Sequence, residues 1–126
     1  MRAVDTNVLV RLIIRDDAEQ VATASEYLAR GVWVSVLALA ETMWVLATAY
    51  KLSAPEIAAS VEILLNHKDV TLQDPEAVAR ALALFRARPA LRFSDCLILE
   101  LARKAGHLPL GTFDRELGKA TGAEKL

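Results

Sequence analysis

A chain of 126 residues, 54% apolar and 25% charged with mean hydropathy +0.29, holds ample material for one hydrophobic core, which excludes a disordered segment and fits a single domain. Its 15 Lys and Arg against 16 Asp and Glu give a net charge of −1, so there is no global basic field, and any nucleic-acid contact must come from a local patch. Cys96 is the only cysteine beside two histidines, which excludes an internal disulfide and a structural zinc site and suits a reducing compartment.

The start, Met1-Arg2-Ala3-Val4-Asp5, carries an acid too early for a signal peptide, and Arg2 to Val4 reads as a short strand. A helix over Thr6–Arg15 follows; its apolar run Val8 to Ile14 is short and broken by Arg11, so no membrane span is expected and the location is expected to be cytoplasmic. Helical periodicity then predicts Ala18–Ala29, a strand Val32 to Ser35, and helices Val36–Tyr50 and Ala54–His67, the last opened by Ser53 as N-cap with Pro55 close behind. Val70 to Leu72 reads as a strand, and Asp74 as the N-cap of a helix Pro75–Arg88. A helix Ser94–Ala105 with Ser94 as its cap ends at Gly106. It is followed by a strand Leu108 to Thr112, a short helix Arg115–Lys119 and a last strand from Ala123 to Leu126. Short strands alternating with helices are the pattern of an α/β domain with a mainly parallel sheet, and no linker, repeat or low-complexity tract divides residues 1–126.

Four carboxylates, Asp5, Glu41, Asp95 and Asp114, lie far apart along this frame, each among apolar residues. Taking one ionised carboxylate out of water costs roughly several kcal/mol even after relaxation, so four such acids call for a shared partner. Asp5 and Asp114 each follow a strand and precede a helix, where a capping role worth about 1 kcal/mol is the alternative to a site role. Asp95 reads either as a first-turn acid favoured by the helix dipole or as a site acid. Capping cannot explain Glu41, because its helical neighbours Leu37, Ala38, Trp44 and Val45 are all apolar and no Lys or Arg lies between Gly31 and Tyr50. Glu100 is the contrast: Arg103 and Lys104 follow at i+3 and i+4, the pattern of a solvent-face ion pair. Oxygen-only ligands select Mg²⁺ or Mn²⁺ over zinc or copper, and such ions activate water for displacement at phosphorus. Open α/β sheets bind ligands beyond the carboxyl ends of their strands, where Asp5 and Asp114 fall.

Val4-Asp5-Thr6-Asn7-Val8-Leu9 resembles the opening motif of PIN-domain nucleases. Their later motifs follow in order: Ser35-Val36-Leu37-Ala38-Leu39-Ala40-Glu41, Phe93-Ser94-Asp95-Cys96-Leu97-Ile98 and Thr112-Phe113-Asp114-Arg115-Glu116-Leu117. Motif order and chain length are similar to VapC-type toxins of toxin–antitoxin pairs. That resemblance implies a three-layer α/β/α sandwich with a central parallel sheet of order 3-2-1-4-5, and a Mg²⁺- or Mn²⁺-dependent endoribonuclease. It further implies a homodimer restrained by a VapB-type antitoxin. It makes Asp5, Glu41, Asp95 and Asp114 metal-binding and catalytic residues, with Asn7, Ser35 and Thr112 as hydrogen-bonding supports. Relatives often have a small apolar residue where Ser94 stands and a further acid after the fourth, where only Glu116 is available.

Arg86, Arg88 and Arg92, with Arg11, Arg15 and Arg115, are expected either to steer RNA phosphates or to be solvated helix-face residues. Trp33, Trp44, Tyr27 and Tyr50 read as core or interface residues, Cys96 as a buried filler, and His67 and His107 as surface residues. A phosphatase of the haloacid dehalogenase type wants a second aspartate two positions after the first, and here that residue is Asn7. A catalytically silent scaffold of the PIN fold and a DNA-directed nuclease remain as rival readings; the presence of all four acids argues against the first.

Overall fold

The structure, a computed structural model, describes residues 1–126. In chain order it contains β1 (Arg2–Ala3), α1 (Thr6–Ile14), α2 (Ala18–Leu28), β2 (Val32–Val34), α3 (Val36–Thr48), α4 (Ala54–Asn66) and β3 (Val70–Leu72). Then follow α5 (Pro75–Ala87), α6 (Phe93–Ala105), β4 (Leu110–Thr112), a 3₁₀ turn at Leu117–Lys119 and β5 (Ala123–Lys125). The α/β class with parallel strands is as the sequence predicts. The backbone divides into two compact units, Met1–Pro75 and Glu76–Leu126.

In the first unit β1, β2 and β3 pair in that order, all parallel, with Arg2 opposite Val32 and Val34 opposite Leu72. The period of two is clean in β2, where Val32 and Val34 are buried and Trp33 between them is exposed. Leu9, Leu39, Met43, Leu46 and Val61 supply the helical side of the core, with α1 packed on α2 and α3, and α4 on α3 and β3. Each helix starts where a side chain relieves its orphan amides: Asp5 accepts from the Val8 N–H, Asp17 from Gln20 and Ser35 from Ala38. Ser53 and Glu56 form a reciprocal capping box at α4. The Val36 N–H, another orphan of α3, donates to Gln73 Oε1.

In the second unit β4 pairs with β5 in parallel, Leu110 opposite Ala123 and Thr112 opposite Lys125. Val78, Ala81 and Phe85 of α5 and Cys96, Leu97 and Leu99 of α6 are buried, and Phe85 meets Phe93 edge-on with ring centroids 6.0 Å apart. Gly118 is required by close approach, since a Cβ there would lie 2.8 Å from the Lys125 Cβ.

The strands form two ladders, β3-β2-β1 and β4-β5, whose neighbours within each are those of the expected order 3-2-1-4-5, and strands of two or three residues carry few bonds each. Other expectations are corrected in whole or in part. Helix α6 begins at Phe93, with Arg92 in the N-cap position making no side-chain cap, so Ser94 lies inside the first turn. Asp74 stands directly before Pro75, the first residue of α5, with φ +61 rather than the extended backbone usual at an N-cap. Trp33 and Trp44 are exposed, which removes the core half of the expectation of core or interface residues. No helix is long and apolar enough to cross a membrane.

Candidate active site

Asp5 leaves the end of β1 and caps α1, its Oδ1 accepting the Val8 N–H at 3.2 Å. The side chain is exposed, as is that of Asn7 in the first turn. Glu41 lies in the middle of α3, and it too is exposed. Its neighbours Leu37 and Trp44, apolar as the sequence shows, are 74% and 51% exposed. The face is therefore apolar but uncovered, and the cost of an unpaired buried charge does not fall on Glu41. Ser35, expected to support the site, serves here as the N-cap of the helix that carries Glu41.

Asp114 stands just beyond β4. Its N–H donates to Thr112 Oγ1 at 3.0 Å, and its Oδ1 accepts the Leu117 N–H at 2.8 Å. Thr112 therefore fixes the backbone of the acid, and the acid in turn starts the 3₁₀ turn, with its second oxygen outside that cap. Exposure of Asp114 matches that of Asp5. Asp95, in the first turn of α6, is half-buried. Burial above all, and then the negative charge of Asp114, raise its pKa above the usual carboxylate value, while the Arg92 guanidinium works in the opposite direction. Among the four acids expected to carry a burial cost, the structure partly buries Asp95 alone.

Glu100 is also corrected. It is 7% exposed and receives the Arg103 Nε at 3.2 Å, and Arg103 Nη2 donates onward to the Thr121 carbonyl at 2.6 Å. It is a buried, paired carboxylate rather than a solvent-face one. The same pair lines a cleft of about 250 Å³ together with Glu76, Arg80 and Lys104, whose charges are also paired at 3.3 and 3.8 Å. Cys96 is buried as expected, its thiol pushed up to about 12 chiefly by desolvation, so it is inert as a nucleophile.

Of the arginines expected to steer phosphates, Arg11 is held by Asp16, and Arg15 ends α1 in the left-handed conformation. Arg92 and Arg115 are exposed. One exposed residue carried no expectation of its own: Phe113, between Thr112 and Asp114, is 81% exposed. An aromatic after an apolar strand reads as core, and only its place at a bend next to an acid signals otherwise.

The sequence matches the PIN domain over residues 2–123. No curated protein and no solved structure matches it. PIN domains are generally nucleases, hydrolases of phosphodiester bonds, and typically use divalent metals. Within either unit, no three His, Cys, Asp or Glu side chains gather into a group able to hold a metal ion. The Asp95–Asp114 pair nonetheless fits a hard cation, because Mg²⁺ is commonly held by one or two carboxylates, waters and substrate phosphates rather than by an all-protein cage. Their repulsion, which adds to burial in raising the pKa of Asp95, is what such a cation would relieve. A match that leaves only residue 1 and residues 124–126 outside it shows that the chain belongs to the PIN domain family.

Proposed function

We propose that this protein is a Mg²⁺- or Mn²⁺-dependent endoribonuclease and the cytoplasmic toxin of a toxin–antitoxin pair, acting as a homodimer restrained by a VapB-type antitoxin. The observation that carries the nuclease reading is the coupled carboxylate pair, Asp95 and Asp114, beyond the end of β4 in a PIN-family chain. Asp95 and Asp114 would hold the cation, and Asp5 and Glu41 are the further acids on which cleavage depends. When bound, a divalent cation supplies an acidified water and neutralises charge developing on the scissile phosphate. The chain's own contribution is orientation. Thr112 and the Leu117 N–H fix Asp114, the Val8 N–H fixes Asp5, and Ser35 starts the helix that presents Glu41. Attack by water in line with the leaving oxygen yields 5′-phosphate and 3′-hydroxyl ends. Exposed Leu37 and Trp44 support a protein partner, since exposed apolar patches mark interaction sites.

The test incubates the protein and its Asp5→Asn variant with total RNA in Mg²⁺, Mn²⁺ or EDTA, and sequences the new ends. Cleavage is expected only for the wild type with metal; metal-independent cutting, or equal cutting by the variant, overturns the mechanism. One rival reading is a silent binding module of the same fold. That reading predicts no cleavage of RNA or DNA with either metal. The toxin role is tested separately, by whether a short reading frame for a small DNA-binding protein adjoins this one and whether its product suppresses cleavage.

A further inference from the structure

Phe113 is the most exposed aromatic residue of the protein, at 81%, and it occupies a bend rather than a strand. A single exposed apolar side chain is ordinary and by itself carries no meaning. Its setting does. The backbone on either side is tied down: the Thr112 carbonyl accepts the Leu126 N–H at 2.8 Å, Thr112 Oγ1 accepts the Asp114 N–H, and the Asp114 carbonyl accepts the Gly118 N–H at 2.9 Å. A rigid frame thus presents a flat apolar ring to solvent, directly beside an acid that is coupled to Asp95.

We propose that Phe113 is a substrate-binding residue on which an unpaired nucleobase next to the scissile phosphate stacks. The proposal rests on the nuclease reading above and names the form of nucleic acid that the site takes. In a polynucleotide every phosphate is flanked by bases, so a chain whose phosphate met a cation held by Asp95 and Asp114 would bring a base alongside the neighbouring side chain. Ring-on-base stacking is how single-strand-binding surfaces gain affinity without reading sequence, and the tied backbone sets where the ring stands. A duplex keeps its bases stacked internally and cannot offer one. The flanking charges suit a nucleotide better than a protein: Asp114 and Arg115 are both exposed, Arg92 carries a cation near Asp95, and charged residues are depleted from the cores of protein interfaces.

The experiment uses the full chain and a fluorescein-labelled single-stranded RNA, with binding followed by anisotropy in Ca²⁺ and again in EDTA. The same RNA is also made with one abasic position moved along it. Phe113→Ala is expected to weaken binding by about tenfold or more, and Phe113→Tyr to retain it. For the wild type one abasic position should cause a similar loss, and in Phe113→Ala that position should no longer matter. Binding of all RNAs by Phe113→Ala within about twofold of wild type overturns the proposal, as does an unchanged abasic profile. A change in sedimentation state with RNA binding intact also overturns it, since the ring is then a protein contact. Cleavage in Mg²⁺ separates this outcome from the nuclease reading. A wild type that binds through Phe113 but does not cut defeats that reading and leaves the stacking. Equal binding and cutting by Phe113→Ala defeats the stacking alone, and a wild type that does neither defeats both.

Discussion

The acids of residues 1–75 and Asp95 of residues 76–126 are held by different physics, while Asp114 is exposed like Asp5 and Glu41. Asp5 and Glu41 are exposed, one fixed by a helix cap and the other only by its place in α3. Asp95 is half-buried and made harder to ionise by burial and by Asp114. A bound cation therefore has most to offer in the second unit, where it replaces a repulsion with two attractions. In the first unit it would meet carboxylates already at ease in water. Function and stability should consequently separate along the chain.

The largest effect expected is on cleavage. Because losing a group that merely orients a metal ligand costs about 10–100-fold, Asp5→Asn, Glu41→Gln, Asp95→Asn and Asp114→Asn should each lower kcat/KM by about 100-fold or more. Single-turnover cleavage of RNA in Mg²⁺ measures it. An active Glu41→Gln would remove the most exposed helix acid from the machinery and leave the second unit to act without it.

The next effect is on stability, and it concerns the second unit only. Arg103→Ala leaves Glu100 buried without its partner. Such losses cost about 3–5 kcal/mol in fully buried pairs, so with Arg103 partly exposed about 2 kcal/mol is expected. Thermal unfolding should show Tm falling by roughly 5–8 °C. If the cause is the orphaned carboxylate, pairing Arg103→Met with Glu100→Leu should recover most of the loss. A double variant as unstable as the single one would point instead to the lost Arg103–Thr121 contact.

Asp95→Asn should go the other way. A carboxylate whose folded pKa is raised binds its proton more tightly in the folded state. Its contribution is fully favourable below the unfolded value of about 3.8 and is lost as pH rises through the folded pKa. In metal-free buffer at neutral pH the variant, which carries no charge to repel Asp114, should therefore melt above wild type. The gap should close as pH falls toward 3.8. Mg²⁺ should stabilise the wild type by mass action and leave the variant unmoved. Calorimetry over a pH series, with and without Mg²⁺, reads both signs; an Asp95→Asn protein that melts lower at neutral pH would contradict the coupling.

Much of this frame was legible in the sequence. Apolar periodicity and caps such as Ser53 placed the helices to within one or two residues at most ends. Two glutamates show what local pattern cannot decide. Glu41, with Leu37 and Trp44 around it, reads as buried and is exposed; Glu100, with Arg103 and Lys104 following, reads as exposed and is buried. Periodicity tells which residues share a helix face, but burial depends on whether another element covers that face. For Glu100 a signal existed at i−4 and i−3, where Cys96 and Leu97 are core residues. The start of α6 differs from the pattern for another reason, since Arg92 makes no side-chain cap and Ser94 is the nearest residue of a capping type. The raised pKa of Asp95 comes first from burial and then from Asp114, nineteen positions away in sequence (114 − 95), and only the fold supplies either.

The smallest effects come from the two hydroxyls, one in each unit. Ser35 caps α3 through the Ala38 N–H, so Ser35→Ala should cost about 1 kcal/mol of stability and move Tm by roughly 3–4 °C. Gln73, which accepts the Val36 N–H of the same helix, limits the fraying, so cleavage should change little beyond the loss of folded protein. Thr112 has a different task. Its Oγ1 accepts the Asp114 N–H, and that bond sets the backbone of an acid proposed to hold the cation. Thr112→Val keeps the shape and removes the acceptor, and it should leave stability within about 1 kcal/mol of wild type while raising the Mg²⁺ concentration needed for half-maximal cleavage by about tenfold. Metal titrations of both variants at saturating RNA make the distinction. A Ser35→Ala protein with the larger metal requirement would reverse the comparison, and would place the cation's hold on the first unit.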